Sequence, residues 1–379
     1  EINKREDKVY NGEYLIDMKR IAIITLHAVK NYGSVLQTLA TQQYFLDLGC
    51  CVTVIDFRRK WETKYGYWFY LYDKNIKSII RNIIRIPTKL YQDRVFNRFI
   101  HSYINVSKES YCNSEELRKK PVEADVYCTG SDQVWNSGWN SGVIPEYFLS
   151  FAPQKSMKIS FASSFGNSNI DEKEKKIIKT LLSNYNLITV REAQSVEMLK
   201  KELGLEAYEI LDPTLQMNGD FWRSLCKEAR KVEGDYVLLI QLNRNVEFDK
   251  YAKSFCNQKG IRLVRLCLRV DQVVLPGKAV VIPEVNDYIR LIRDATYVLT
   301  DSFHAVSFCL NLEKQFYVYY PNKYAERLKS ILLIMELTDR ELMNNDYDTN
   351  IDYKKVNKIL MKKRKLAKDL MLKVLDKGI

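Results

Sequence analysis

Histidine is scarce in this chain: His27, His101 and His304 are the only three among 379 residues. Any proton chemistry near neutral pH that relies on an imidazole must draw on one of them. Other absences narrow the field. The eight cysteines include no C-x-x-C spacing, and two of them, Cys50 and Cys51, are adjacent, so neither a zinc site nor a disulfide framework is expected. Cys128, Cys267 and Cys309 lie inside apolar runs and read as reduced core residues of a cytosolic protein. No apolar run approaches the roughly 20 residues that cross a bilayer, and Glu1 to Asp17 lacks the apolar region of a signal peptide. The natural start is expected at Met18, directly before the first strand, which makes the preceding residues an extension. There is no internal repeat, no low-complexity segment and no G-x-G-x-x-G, so a dinucleotide site of the usual kind is not expected.

What is present points to a large α/β protein. With 46% hydrophobic residues over 379 positions, the chain can bury two cores, and two domains are expected. Lys and Arg total 59 against 47 Asp and Glu, a formal net charge of +12, which favours phosphorylated substrates, acidic lipid surfaces or nucleic acid as partners. Arg20 to Leu26 is a continuous apolar run, as in a parallel strand covered on both faces. Ser34 to Leu48 has near-helical apolar spacing ended by Gly49, and Cys51 to Phe57 reads as the next strand, completing a β-α-β unit. Further strands are expected at Ala124 to Gly130, Ile159 to Ser163 and Leu187 to Val190, and Glu209 to Leu211 leads to a turn signal at Asp212-Pro213-Thr214. A polar linker, Lys227 to Asp235, precedes a second α/β set beginning at Tyr236, and a basic helix from about Tyr353 to Leu375 ends the chain.

The strand ends carry the chemistry. Asn31, Asp132, Ser164 and Arg191 each follow a predicted strand, and parallel strands gather such ends at one edge, where open α/β sheets bind ligands. In the second set, Tyr297 to Leu299 runs into Asp301 or Ser302 as a helix N-cap. His304 then falls in the first helical turn, where free N–H groups attract anions. Trp61 to Tyr72 is crowded with aromatics, and Lys74 to Arg98 is a basic amphipathic segment interrupted at Pro87, suited to an anionic membrane surface or a groove for an acidic polymer. Asp346-Tyr347-Asp348 has D-x-D spacing but lies in a polar turn away from the strand ends.

Together the motifs resemble the polysaccharide pyruvyl transferase family. The matching pieces are Asn31 to Gln37 (NYGSVLQ), Gly130 to Asn136 (GSDQVWN), Ser160 to Gly166 (SFASSFG), Arg191-Glu192, Leu211 to Thr214 (LDPT) and Thr300 to His304 (TDSFH), in the family's order. The resemblance implies two Rossmann-like domains facing each other across a cleft, similar to B-type glycosyltransferases. An acceptor side would span residues 18–226 and a donor side 236–345, with the basic helix at 350–379 crossing back to the first domain. It further implies transfer of a pyruvyl group from phosphoenolpyruvate to sugar hydroxyls of a cell-surface polysaccharide precursor, with no metal or other cofactor. The acceptor would be a lipid-linked oligosaccharide, met in the cytoplasm or at the inner face of the cytoplasmic membrane; a nucleic-acid partner is not expected, since no reader motif accompanies the charge. Where family members often carry Arg two residues before the helix-start histidine, this chain has Ser302, and Lys323 or Arg327 would supply the charge.

Phosphoenolpyruvate carries a phosphate and a carboxylate, so its site needs guanidinium or ammonium groups and helix-start amides. Ketal formation needs a proton delivered to the methylene carbon and two hydroxyl attacks at the central carbon, work suited to an imidazole. The roles expected are His304 as general acid/base, Asp132 as acceptor-side base or hydroxyl anchor, and Arg191 as donor clamp. Ser302, Lys323 and Arg327 complete the donor site, while His27, Asn31 and Ser164 line the cleft. Each has a duller alternative: an Arg191–Glu192 ion pair, Asp132 as a turn cap, His27 as a loop residue. The rival function is a nucleotide-sugar-dependent glycosyltransferase in polysaccharide biosynthesis.

Overall fold

The computed structural model describes residues 18–59, 62, 76–166, 170–226, 228, 231–320, 325–344 and 349–376. The first parallel sheet has the order β3-β2-β1-β4-β5, built from β1 (Arg20–Ile24), β2 (Cys51–Phe57), β3 (Val106–Tyr111), β4 (Val126–Thr129) and β5 (Met157–Ser160). A two-stranded parallel pair, β6 (Thr189–Val190) and β7 (Tyr208–Glu209), extends it through the bridges Ile159–Leu187 and Ser163–Val190. The second sheet repeats the scheme as β10-β9-β8-β11-β12, from β8 (Tyr236–Ile240), β9 (Arg262–Cys267), β10 (Lys278–Val281), β11 (Tyr297–Thr300) and β12 (Gln315–Val318). Both are doubly wound Rossmann-like sheets, and in each the strand order reverses beside the first strand. In the first sheet, β1 pairs with both β2 and β4, with Ile21 opposite Val52 and Val126; in the second, β11 lies between β8 and β12.

Continuous apolar runs form the central strands because helices cover both of their faces. β8 is buried along its whole length, as are β4 and β5. One apolar cluster joins the facing sides of the two sheets, running from Ile23, Val35 and Phe45 through Leu215 and Trp222 to Val298, Ala305 and Phe308. Separate clusters cover the outer faces: Ile24, Tyr147 and Val190 belong to the one on the first sheet, and Val237, Phe248 and Leu299 to the one on the second.

The helix Tyr32–Asp47 starts where Asn31 accepts a hydrogen bond from the Gly33 N–H at 2.8 Å, and the chain leaves it through Gly49 at φ +78°. Its first turn docks on the second half. The Tyr32 hydroxyl donates to the Pro283 carbonyl at 2.6 Å, and its ring stacks on Tyr288 with centroids 4.5 Å apart. The final helix, Tyr353–Leu375, spans both halves: Arg364 donates to the carbonyls of Leu215 and Met217 and to Asn311, Lys363 pairs with Glu209, and Lys19 donates to the Leu375 carbonyl.

Two expectations are corrected here. The basic helix is not interrupted at Pro87: it runs unbroken from Ile76 to Tyr103 with the proline inside it. An interior proline costs about 3 kcal/mol in an isolated helix, and packing of the following turns through Val95, Phe96, Phe99 and Ile100 offsets that cost. The edge strand β3 was not anticipated, because its sequence, VSKESY, is mostly exposed and lacks an apolar alternation. The aromatic stretch from Trp61 to Tyr72, apart from Glu62, and the D-x-D at 346–348 lie outside the described residues.

Candidate active site

A cavity of about 200 Å³ lies where the reversal points of the two sheets face each other. The first half contributes Asn31, Ser34, Asp132, Gln133 and Trp139; the second contributes Asn243, Asp301, Ser302, His304 and Arg327.

Asp301 follows strand β11, and Ser302 caps the helix Phe303–Asn311 by accepting from the Ala305 N–H at 3.3 Å. Asp301 is spent on local structure, since it accepts from the Leu242 N–H at 2.7 Å and the Asn243 N–H at 2.8 Å. His304 follows in the first helical turn. Its Nε2 is buried without a hydrogen bond and lies 3.8 Å from Asp212 Oδ2. Its Nδ1 lies against Gly33 of the first half: a Cβ at position 33 would sit 2.2 Å from that nitrogen. Any residue but glycine there must displace the imidazole or the Tyr32–Asp47 helix.

Asp132 reaches the cavity from the end of β4 in a left-handed backbone conformation, φ 72°, uncommon for aspartate and a recurrent feature of functional sites. Ser34 Oγ donates to its Oδ2 at 2.7 Å and the Gln133 N–H to its Oδ1 at 2.9 Å, which fixes the carboxylate. Asp212 caps the short helix Pro213–Gln216; it accepts from the Thr214 hydroxyl at 2.6 Å, Ser131 Oγ at 3.1 Å and Arg191 Nη1 at 2.8 Å.

The electrostatics follow from this packing. Burial raises both carboxylates, but His304 in its protonated form, Arg191 and the hydroxyl donors outweigh it, so Asp132 and Asp212 lie below the ordinary carboxylate range. Burial pushes the His304 imidazole down; Asp212 and Asp132 pull it up, Arg191 and Arg327 push it further down, and the net is a lowered pKa. The imidazole is therefore neutral at pH 7 in the ligand-free protein.

Three expected site residues stand elsewhere. His27 is fully buried, with Nε2 2.9 Å from Asp56 Oδ1, and does not line the cavity. Burial would raise Asp56, yet donors from His27, Arg58 and Ser110 hold it well below the carboxylate range, so this pair is a satisfied structural cluster. Ser164 is also buried; its Oγ donates to Glu192 Oε1 at 2.7 Å. Arg191 sits behind the cavity wall, bonded to Asp212 and to Glu192 at 3.2 Å, with its guanidinium 4.7 Å from the Phe303 ring centroid. Its charge serves those carboxylates, so the duller ion-pair reading describes it better than the donor clamp. Asn31, Asp132, Ser302, His304 and Arg327 do line the cavity, and Lys323 lies outside the described residues. Sequence reasoning missed Asp212 because the Asp-Pro-Thr turn explains it locally, and it missed Gly33 because the crowding comes from a residue 271 positions away.

Two Rossmann-like halves with a polar, charged cavity between their facing strand ends define a two-domain α/β protein with a ligand-sized cleft. Residues 31–323 match the family described as polysaccharide pyruvyl transferase, and the chain belongs to that family. It is accordingly a transferase that modifies polysaccharide. Among solved structures, the UDP-N-acetylglucosamine 2-epimerase from Rickettsia bellii is 12% identical, with a TM-score of 0.46 over 95% of this chain and 97% of that one. An alpha-glucosyltransferase in complex with UDP and a 13-mer DNA is 9% identical, with a TM-score of 0.47 over 95% and 94%. The glycosyltransferase SnogD from Streptomyces nogalater is 10% identical, with a TM-score of 0.45 over 94% and 100%. None of the curated proteins compared matches this chain.

The contact between Gly33 and His304 yields a direct test. Gly33→Ala is expected to lower turnover on the polysaccharide acceptor by roughly 10²-fold, the scale of an ångström-sized misplacement of a reacting group. Far-UV circular dichroism should match the parent. Unchanged turnover in Gly33→Ala would mean that the imidazole position does not matter.

Proposed function

We propose that the chain transfers the pyruvyl group of phosphoenolpyruvate to two hydroxyls of one sugar in a capsule or exopolysaccharide precursor, forming a ketal and releasing phosphate, without a metal or other cofactor. The observation that carries this reading is the setting of His304: a buried imidazole at a helix start, turned to Asp212 through Nε2, in the same cavity wall as Arg327 and Asp132. Arg327, the Ser302 hydroxyl and the helix-start amides hold the donor's phosphate and carboxylate. An incoming anion raises the imidazole pKa, so the donor arrives with the proton its own reaction requires.

The imidazolium, stabilised by Asp212 near Nε2, gives its proton to the methylene carbon, which becomes the methyl group. The first sugar hydroxyl attacks the central carbon and returns its proton to the imidazole. The second hydroxyl attacks the same carbon as the C–O bond to phosphate breaks, and its proton leaves with the phosphate. Asp132, with its lowered pKa, is a weak base and a strong hydrogen-bond acceptor, which makes it the anchor for an acceptor hydroxyl.

The precursor is met while still lipid-linked, at the inner face of the cytoplasmic membrane. Supporting this, the helix Ile76–Tyr103 exposes Leu90 and Tyr91 among Arg85, Lys89 and Arg94, and the turn Val270–Val274 lies beside it, with Val274 84% exposed. The Val270 N–H donates to Thr88 Oγ1 at 3.3 Å and Gln92 to the Leu268 carbonyl at 2.9 Å, which joins the two segments into one basic and apolar surface. No described helix is long and apolar enough to cross a membrane.

Two outcomes test the reading. His304→Gln is expected to reduce turnover by roughly 10²- to 10⁴-fold while phosphoenolpyruvate binding, followed by calorimetry, weakens far less. Arg327→Met should instead weaken that binding by about 2 kcal/mol, roughly 30-fold in Kd. A nucleotide sugar that raises the melting temperature where phosphoenolpyruvate does not would favour the glycosyltransferase instead. For the membrane surface, co-sedimentation with vesicles should increase with anionic lipid and decrease with salt; equal sedimentation with neutral vesicles would remove it.

A further inference from the structure

Trp139 is the largest side chain in the cavity wall, and the donor chemistry leaves it unused. It sits in the short helix Ser137–Asn140, whose N-cap Asn136 accepts from the Trp139 N–H at 3.1 Å, and its side chain remains 40% exposed while lining the cavity. Most of the other aromatic residues near this edge of the first sheet are in the core: Trp135, four residues earlier, is buried and donates its indole N–H to the Tyr147 carbonyl at 2.9 Å. A large aromatic ring in the wall of a polar cavity offers a flat apolar face to whatever enters it.

The ring is also held rigid. The Arg59 guanidinium lies 4.3 Å from its centroid, and that guanidinium is fixed in turn by Asn140 Oδ1 at 2.7 Å and by an ion pair with Glu62. One face is thus backed by a fixed cation, and the exposed remainder is presented to the cavity. From the second half, Leu242, 42% exposed, adds a further apolar group to the wall, while Gln133 and Asn243 supply amides. A flat aromatic platform, an aliphatic contact and amide donors and acceptors make the combination that recognises a pyranose ring, whose C–H-bearing face is apolar and whose rim carries hydroxyls.

We infer that Trp139 is the stacking platform of an acceptor subsite for a hexopyranose, which holds the sugar so that one hydroxyl reaches Asp132 and the reacting carbon. The inference rests on the acceptor being a sugar that enters this cavity and is independent of the identity of the donor. Leu242 and Asn243 place the second half in the same subsite, so the sugar would be gripped from both sides of the cleft.

The test is direct binding without turnover. Methyl galactopyranoside, methyl glucopyranoside and methyl mannopyranoside are titrated into ¹⁵N-labelled protein, and the indole N–H resonance that disappears in Trp139→Phe is followed. That resonance should move with at least one sugar. Trp139→Ala should weaken binding of that sugar roughly tenfold or more, the scale for removing an aromatic anchor, and Trp139→Phe should restore most of it. The melting shift caused by phosphoenolpyruvate should be the same in all three proteins, which also reports that the variants are folded. A sugar that binds the parent and Trp139→Ala equally overturns the subsite while leaving the pyruvyl transfer reading intact. A parent protein that responds to phosphoenolpyruvate but to none of the three sugars overturns both the subsite and the sugar-acceptor reading of this cavity.

Discussion

The site depends on one buried ion pair. Arg191 is almost fully buried and bonds to Asp212 and Glu192, so three charges leave water together and remain charged because they compensate one another. Burial opposes the Arg191 charge, yet Glu192, Asp212 and Asp132 raise its pKa above the already high guanidinium value. Asp212 can consequently stay ionised in the core and face His304. Without the arginine, burial would protonate or expel that carboxylate, and the imidazole would lose the partner that stabilises its charged form. Asp212 and Asp132 favour a proton on His304 while burial, Arg191 and Arg327 oppose it, and an anion entering beside the imidazole shifts that balance toward the charged form.

Packing between the halves then decides where that imidazole stands. Tyr32 and Tyr288 stack across the junction, the Tyr32 hydroxyl meets the Pro283 carbonyl, and Gly33 leaves room for the His304 ring. Three consecutive residues, Asn31, Tyr32 and Gly33, cap a helix, clamp the second half and seat the His304 ring. The position of His304 is thus a property of both sheets, and a disturbance at the junction would reach the chemistry without touching a ligand.

Much of this was legible in the residues. Buried parallel strands announce themselves as apolar runs, and polar side chains just beyond them must gather at one sheet edge, which located Asn31, Asp132, Ser302 and His304 correctly. The misreadings share a cause. Position after a strand says that a residue is near the edge, whereas the direction of its side chain depends on partners distant in sequence. Ser164 turns back to Glu192, His27 to Asp56, and Arg191 to Asp212, 21 residues on. Trp139 was passed over for a different reason: its helix, Ser137–Asn140, is too short to show a periodicity, and the Arg59 guanidinium that backs its ring comes from a segment 80 residues earlier. The edge strand β3 and the unbroken helix through Pro87 are cases in which tertiary packing overrides local propensity.

The central claim is that a buried, charge-compensated setting keeps His304 neutral until an anion enters beside it. With only three histidines in the chain, each imidazole can be followed by NMR through a pH titration, and His304 is assigned by its absence in His304→Gln. In the ligand-free protein its pKa should lie below the ordinary value of 6.5, and saturating phosphoenolpyruvate should move it upward. An imidazole that titrates at its ordinary value in the free protein, or that does not respond to phosphoenolpyruvate, would contradict the account.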